Sequence, residues 1–359
     1  MAALARIVHP ATGRDLVVGG HVQNVEVDAQ GGVRFQFLLR PEDPGELVKQ
    51  ARAAVEGLSG VRQVKIHVQL PQMTPSAGTG GGRRGGLKPG SVPAPTPKPG
   101  ILSDVRHVIA VSSGKGGVGK SMVAANLAAA MAGRGLRVGL LDADIYGPNI
   151  PLMFGVSARP RVTGEKGREM IEPLVAHRVR LMSLGFLLDK EQPAIMRGPL
   201  ISGVLKQFLE QVAWGPLDMM VVDMPPGTGD AQLSLVQTID LDGAVMVTTP
   251  QDISTGDVRR GVKMFERVNT RVLGIVENMS GLQCPHCGRE IDVFGSGGGE
   301  ALAREMKLPF LGRVPLDPAV REAGDRGAPT VISAPDSAAG RALEGIAGAV
   351  LDTVSVLVG

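Results

Sequence analysis

Residues 114–121 of this 359-residue chain read Gly-Lys-Gly-Gly-Val-Gly-Lys-Ser, which meets the pattern GxxxxGK[ST] at every position. An apolar run, residues 108–112, leads into it, and an alanine-rich stretch, residues 121–132, leads out. Strand, tight turn and helix is the arrangement such a segment is built for. Glycines let consecutive backbone N–H groups point at one anion, and the dipole of the following helix adds to them. Gly114, Lys115, Gly116, Gly117, Val118 and Gly119 then form a phosphate cradle. Lys120 bridges the β- and γ-phosphates, and the Ser121 hydroxyl holds Mg²⁺. The expected ligand is ATP with Mg²⁺, and the expected reaction is its hydrolysis.

The rest of the chain fits this start. Residues 137–141, 219–223, 244–248 and 272–276 are short, unbroken, β-branched apolar runs, as strands buried on both faces of a parallel sheet are. Helical stretches lie between them, residues 257–268 among them. The pattern predicts an α/β fold, a doubly wound, mostly parallel sheet with helices on both sides, over residues 104–359. Residues 1–72 predict a separate small α/β domain. Val22, Val25 and Val27 suit one strand, and Val33, Phe35 and Phe37 alternate as a second. Leu47, Ala51, Ala54, Val55 and Leu58 follow helical spacing, and Val64, Ile66 and Val68 alternate again. Between the two, residues 73–103 are dominated by Gly, Pro, Ser and Thr and read as a flexible linker.

Strand-end acids supply the remaining polar chemistry. Asp223 closes an apolar strand and is expected to hold Mg²⁺, directly or through water. Asp144 is the candidate for orienting the attacking water, with Asp142 near the metal. Residues 224–230, Met-Pro-Pro-Gly-Thr-Gly-Asp, are too rich in Pro and Gly for regular structure and lie where a γ-phosphate sensor would.

Only two cysteines occur, Cys284 and Cys287, in Cys-Pro-His-Cys-Gly. The spacing lets both sulfurs face one metal centre, iron or zinc. A set of four thiolates then needs two copies of the chain. Zinc held by both cysteines and a histidine, a redox dithiol, and two unligated thiols remain alternatives. No apolar run reaches the roughly 18–20 residues that cross a bilayer, and the expected address is the cytoplasm.

Together the motifs identify a family. The early lysine in GKGGVGKS resembles the deviant Walker A signature of the MinD/ParA/nitrogenase iron protein group, in which that lysine reaches the partner subunit's nucleotide. Lys115 has that role by resemblance. GKGGVGKS, DADIYGPNIP (142–151), MPPGTGD (224–230), VENMS (276–280) and CPHCG (284–288) in this order resemble the Mrp/ApbC family of iron–sulfur cluster carrier ATPases. The resemblance implies a homodimer, ATP hydrolysis, and a [4Fe–4S] cluster bridged by Cys284 and Cys287 of both subunits and delivered to apo-proteins. It also gives Asn278 the adenine edge, with Asp317 a weaker candidate on that side. The N-terminal unit is similar to the MIP18-like domain often fused to these ATPases. Two departures stand out. Met122 replaces the usual Thr, and Asp43-Pro44 stands where many such small domains carry Cys-Pro, which argues for a scaffold or docking role.

Rival functions fit less well. A MinD-like membrane ATPase needs a basic amphipathic C-terminal helix, yet residues 339–359 carry only Arg341, Glu344 and Asp352 as charges. A ParA-like DNA partner needs a basic folded surface. Here the formal charge is +3, and residues 71–100 hold four basic and no acidic residues, so the rest of the chain is slightly acidic. Aromatics at 3% also argue against base stacking. A ParA- or MinD-like switch with a structural zinc knuckle is the alternative to the carrier.

Overall fold

Alternation along the central strands decides the architecture. Ile109, Val111, Leu140, Met219 and Val221 belong to one buried cluster, while Val108, Ala110, Leu141, Met220 and Val222 belong to another. Successive side chains of a strand point to opposite faces, so strands apolar on both faces must be covered on both. The computed structural model describes residues 3–10, 13–27, 31–38, 46–58, 60–61, 63–69, 101–145, 147–165, 169–187, 198–284 and 286–355. Two compact units emerge, Met1–Gly86 and Leu87–Gly359. The predicted linker at 73–103 lies outside the described residues as far as 100, and Asp43 lies outside them too.

The small unit has strands β1 (Val22–Val27), β2 (Gly32–Leu38) and β3 (Gln63–Gln69), with helix α1 (Glu46–Glu56) between the last two. β1 pairs antiparallel and β3 parallel with β2. Val33, Phe35 and Phe37 from β2 and Leu47, Ala51 and Val55 from α1 are buried in one cluster, the alternating and helical spacings expected of them.

The large unit runs β4 (Val105–Ser113), α2 (Lys120–Gly133), β5 (Val138–Asp142), α3 (Ile150–Met153), β6 (Val162–Thr163), β7 (Met170–Ile171), β8 (Leu174–Ala176), β9 (Val179–Ser183), α4 (Gly198–Gln211), β10 (Leu217–Asp223), α5 (Asp230–Thr238), β11 (Gly243–Thr248), α6 (Asp252–Arg267), β12 (Val272–Gln283), β13 (Glu290–Ile291), α7 (Gly298–Met306), β14 (Phe310–Leu316), α8 (Pro318–Arg326), α9 (Thr330–Ser333) and α10 (Ala338–Ser355). Its main sheet has the order β13-β12-β11-β4-β10-β5-β9-β8, with β14 also on β12. Only the pairings of β13 with β12 and of β8 with β9 are antiparallel. Because β10 and β11 flank β4 while the chain goes from β4 to β5, the winding reverses at β4. Ligand crevices open at the carboxyl ends of strands at such a reversal.

α2 is buried almost all round, which its alanines permit by close approach. Against it lies α10, which buries Leu343, Ile346, Ala347 and Val350. Among the described residues, no helix is long and apolar enough to cross a membrane.

The single tryptophan, Trp214, is 4% exposed and donates its indole N–H to the Phe208 carbonyl, so its fluorescence reports the large unit. Leu140→Ala, at a fully buried position in β5, is expected to lower unfolding free energy by about 3 kcal/mol in urea titrations read by Trp214. Val175→Ala, on the exposed side of β8, is expected to change it by less than about 0.5 kcal/mol.

Candidate functional site

The loop at 114–119 is shaped by close approach as much as by conformational freedom. A Cβ on Gly114 would collide with the backbone of Asp257 and Val258 in α6. Gly119 is left-handed at φ 85° and caps α2, and a Cβ there would strike the Asn278 amide. Within the loop, Ser113 donates through Oγ to the Lys115 carbonyl at 2.8 Å, and Lys115 itself is half-buried.

Lys120 and Ser121 open α2 and are buried. Lys120 Nζ stands 2.6 Å from Asp223 Oδ1, 3.3 Å from Ser121 Oγ and 3.7 Å from Asp144 Oδ2. The structure thus brings together the lysine, the hydroxyl and two of the three strand-end acids singled out from sequence. Burial raises the Asp223 pKa, against the pull of Lys120 and Ser121. Its other oxygen, Oδ2, is buried without a hydrogen-bond partner. An orphaned carboxylate oxygen beside a buried hydroxyl is a hard-oxygen donor pair of the kind Mg²⁺ takes, and a divalent cation would satisfy it.

Asp142 is held differently. Its Oδ2 accepts from Ser183 Oγ at 2.9 Å and from the Ile150 N–H at 3.3 Å, and its Oδ1 accepts from the Asp144 N–H at 3.1 Å. Burial and then the negative charge of Asp223 push its pKa up to about 8, with Ser183, Lys120 and the Ile150 N–H pulling it back. These bonds hold it to backbone and to β9.

Asn278 is buried in β12 and donates through Nδ2 to the Val118 carbonyl at 2.8 Å. The family resemblance gave it the adenine edge; in the structure its amide holds the phosphate loop. Asp317 caps α8 by accepting from the Ala319 N–H at 2.9 Å and also accepts from the Ala339 N–H.

Three residues escaped the sequence reading. Ser183 supports Asp142. Glu277, fully buried, accepts from the N–H groups of Gly297 and Gly299 and from Ser280 Oγ, and so anchors the start of α7. Gln232 of α5 donates to Ser112 Oγ at the end of β4, tethering the helix that follows the 224–229 loop. For Glu277 the signal was present, a carboxylate directly after the apolar run 272–276. Ser183 and Gln232 carry no such mark.

β12 continues past Asn278 to Gln283, and the chain turns back through β13, where Leu282 and Gln283 pair antiparallel with Ile291 and Glu290. Cys284 and Cys287 therefore sit at a hairpin tip, Cys284 half-buried and Cys287 exposed. The N–H groups of His286 and Cys287, then the Cys287 thiol, lower the Cys284 pKa by hydrogen bonding. These bonds favour the thiolate, the form that binds metal.

Comparison with known proteins agrees with the geometry. Residues 104–351 match the family described as NUBPL iron-transfer P-loop NTPase, and residues 1–68 match that described as iron-sulfur cluster assembly protein. An iron-sulfur cluster carrier protein of Synechocystis sp. is 44% identical over 365 residues, covering 99% of this chain and 97% of that one. Among solved structures, a nucleotide-binding protein in complex with ADP from Archaeoglobus fulgidus is 42% identical, with a TM-score of 0.56 over 63% of this chain and 88% of its own. The cell division ATPase MinD of Pyrococcus furiosus, at 23% identity and a TM-score of 0.51 over 69% and 99%, shares the fold.

Asn278→Ala removes the partner of a buried carbonyl in the loop. Equilibrium binding is expected to weaken about tenfold, and equally for ATP and GTP, because the loop rather than the base is affected. A loss confined to ATP would assign Asn278 to the adenine edge instead.

Proposed function

The chain belongs to the NUBPL iron-transfer P-loop NTPase family, and from that premise we propose that it is an ATP-hydrolysing iron–sulfur carrier. In this reading a [4Fe–4S] cluster is held between two copies of the chain and delivered to apo-proteins. One observation carries it: the strand that grips the phosphate loop through Asn278 and Val118 ends at Gln283, one residue before Cys284. Between these points β12 bends, with Met279 at φ 58° and Gly281 at φ 68°. A shift of the loop with the γ-phosphate reaches the thiols through a few residues of continuous backbone.

The roles follow from position. Lys120 contacts the β- and γ-phosphates, and Asp144, close to Lys120, orients the attacking water. Ser121 and Asp223 hold Mg²⁺, which when bound offsets the charge of the phosphates. Lys115, by the family resemblance, reaches the nucleotide of a second copy, so that nucleotide binding favours the dimer. Dimerisation also completes the thiolate set. One copy offers two thiols, and among the described residues no group of three or more His, Cys, Asp or Glu is placed to hold a metal. The cluster is cargo here. A hairpin tip with one exposed cysteine suits both loading and release, and the reducing cytoplasm is the compartment that keeps those thiols available.

Anaerobic reconstitution with iron and sulfide tests the proposal, comparing the full chain with Cys284→Ala/Cys287→Ala. A brown chromophore with about four irons per dimer, absent from the variant, is expected for one four-thiolate cluster. Colourless protein that retains zinc, or colour indifferent to the cysteines, would overturn the carrier reading and leave an ATP-driven switch.

A further inference from the structure

Asp144 can orient a water only if the segment carrying it is held still, and the contacts doing so start from Ser183, which lies outside every motif. At the carboxyl edge of the sheet Asp142 of β5 is in register with Ser183 of β9 on one side and with Asp223 of β10 on the other. Ser183 is fully buried, Asp142 is 1% exposed and Asp144 9% exposed. Asp142 grips its own segment at both ends, through the N–H of Asp144 at 3.1 Å and that of Ile150 at 3.3 Å. Ser183 in turn donates its hydroxyl to Asp142 at 2.9 Å while accepting from the Gly185 N–H at 3.0 Å, which leaves its Oγ little rotational freedom. At the first gripped end, Asp144 accepts from the Gly147 N–H at 3.3 Å and turns its other oxygen to within 3.7 Å of Lys120 Nζ. The chain of contacts runs from β9 to the lysine without a break.

We propose that Ser183 is a positioning residue for ATP hydrolysis: its hydroxyl fixes Asp142, and Asp142 fixes the 144–150 segment so that Asp144 faces the terminal phosphate beside Lys120. Asp142 thereby acts through the backbone it holds. This role rests on the reading of the phosphate loop as hydrolytic. The bonds of the Ser183 hydroxyl go to Asp142 and to the Gly185 N–H, so its loss leaves Lys120, Ser121 and Asp223 in place and misdirects the group that handles water. Misplacement of a reacting group by about 1 Å can cost up to about a hundredfold in rate.

The test compares the full-length wild type with Ser183→Ala, Ser183→Thr and Ser183→Cys in three measurements: steady-state ATP hydrolysis, equilibrium ATP binding, and amide exchange over residues 143–150. Ser183→Ala is expected to lower kcat by about tenfold to a hundredfold, with Kd for ATP within about twofold of wild type and faster exchange in the segment. Ser183→Thr keeps the hydroxyl and is expected to recover most of kcat. If the added methyl does not fit, Ser183→Cys, of similar size and a weaker donor, is expected to fall between wild type and Ser183→Ala. Unchanged kcat in Ser183→Ala overturns the proposal, whatever happens to exchange. So does a parallel loss of kcat and ATP binding that neither Thr nor Cys relieves, the mark of general damage to the fold. Wild-type turnover no higher than that of Lys120→Ala overturns the hydrolytic reading first, and the role of Ser183 with it. Exchange then still reports separately whether the hydroxyl holds the segment.

Discussion

The large unit turns on a buried ion pair. Lys120 is 6% exposed and Asp223 fully buried, with 2.6 Å between Nζ and Oδ1. An isolated charge in such a place would cost several kcal/mol, and losing one partner leaves the other in that condition, at roughly 3–5 kcal/mol. The pair joins the first turn of α2 to the end of β10, and so sets how the phosphate loop sits against the sheet. It also explains the company it keeps. Asp144 and Ser121 are within reach of the same ammonium group, and Asp142 lies in register beside Asp223. Three carboxylates around one lysine leave a surplus of negative charge, which burial resolves in part by raising the pKa of Asp142 and of Asp223. A cation at the orphaned Asp223 oxygen would resolve the remainder.

That electrostatic centre is tied to the thiols by β12. A strand wedged between β11 and β14 is among the stiffer elements a sheet offers, and here its apolar first half is fully buried. The second half is modified at three points in succession. Glu277 fastens the start of α7, Asn278 fastens the loop, and Met279 and Gly281 take left-handed conformations that turn the strand toward the hairpin. A left-handed non-glycine residue is costly and persists only where its surroundings hold it. At Met279 those surroundings are the anchored residues just before it. The residue that holds the Val118 carbonyl and the hairpin thus belong to one continuous stretch of backbone.

How much of this was legible in the sequence depends on the kind of interaction. The five apolar runs became β4, β5, β10, β11 and β12, because burial on both faces leaves a continuous apolar signature. Likewise the placement of Asp144 and Asp223 beside the loop lysine was legible, since strand ends fix such residues locally. β12 runs on to Gln283, well beyond the apolar core at 272–276, because pairing with β13 and β14 extends it where the side chains turn polar. β8 and β9 were missed for a similar reason. Leu174–Ala176 is short, and β9 mixes Arg180 and Ser183 with its apolar residues. Ser183 and Gln232 matter through partners far away in the chain, Asp142 and Ser112, and a single sequence holds no record of those distances.

Met122 shows the same division between local pattern and tertiary setting. In the loop motif it reads as a loss, a thioether in place of a hydroxyl one residue after Ser121. In the fold its carbonyl accepts from Asn126 Nδ2 at 2.8 Å, and Asn126 Oδ1 accepts from the Val331 N–H at 3.0 Å, so this turn of α2 is stitched to α9. Met122 also lines a largely apolar cavity of about 230 Å³ with Leu152, Met153 and Val320. A flexible, polarisable side chain suits an irregular apolar space better than a hydroxyl would, which would need a partner there. Met122 thus contributes packing between α2, α3 and α8. Its consequence falls on how firmly α3, the far end of the segment that Asp142 holds, rests against the nucleotide helix.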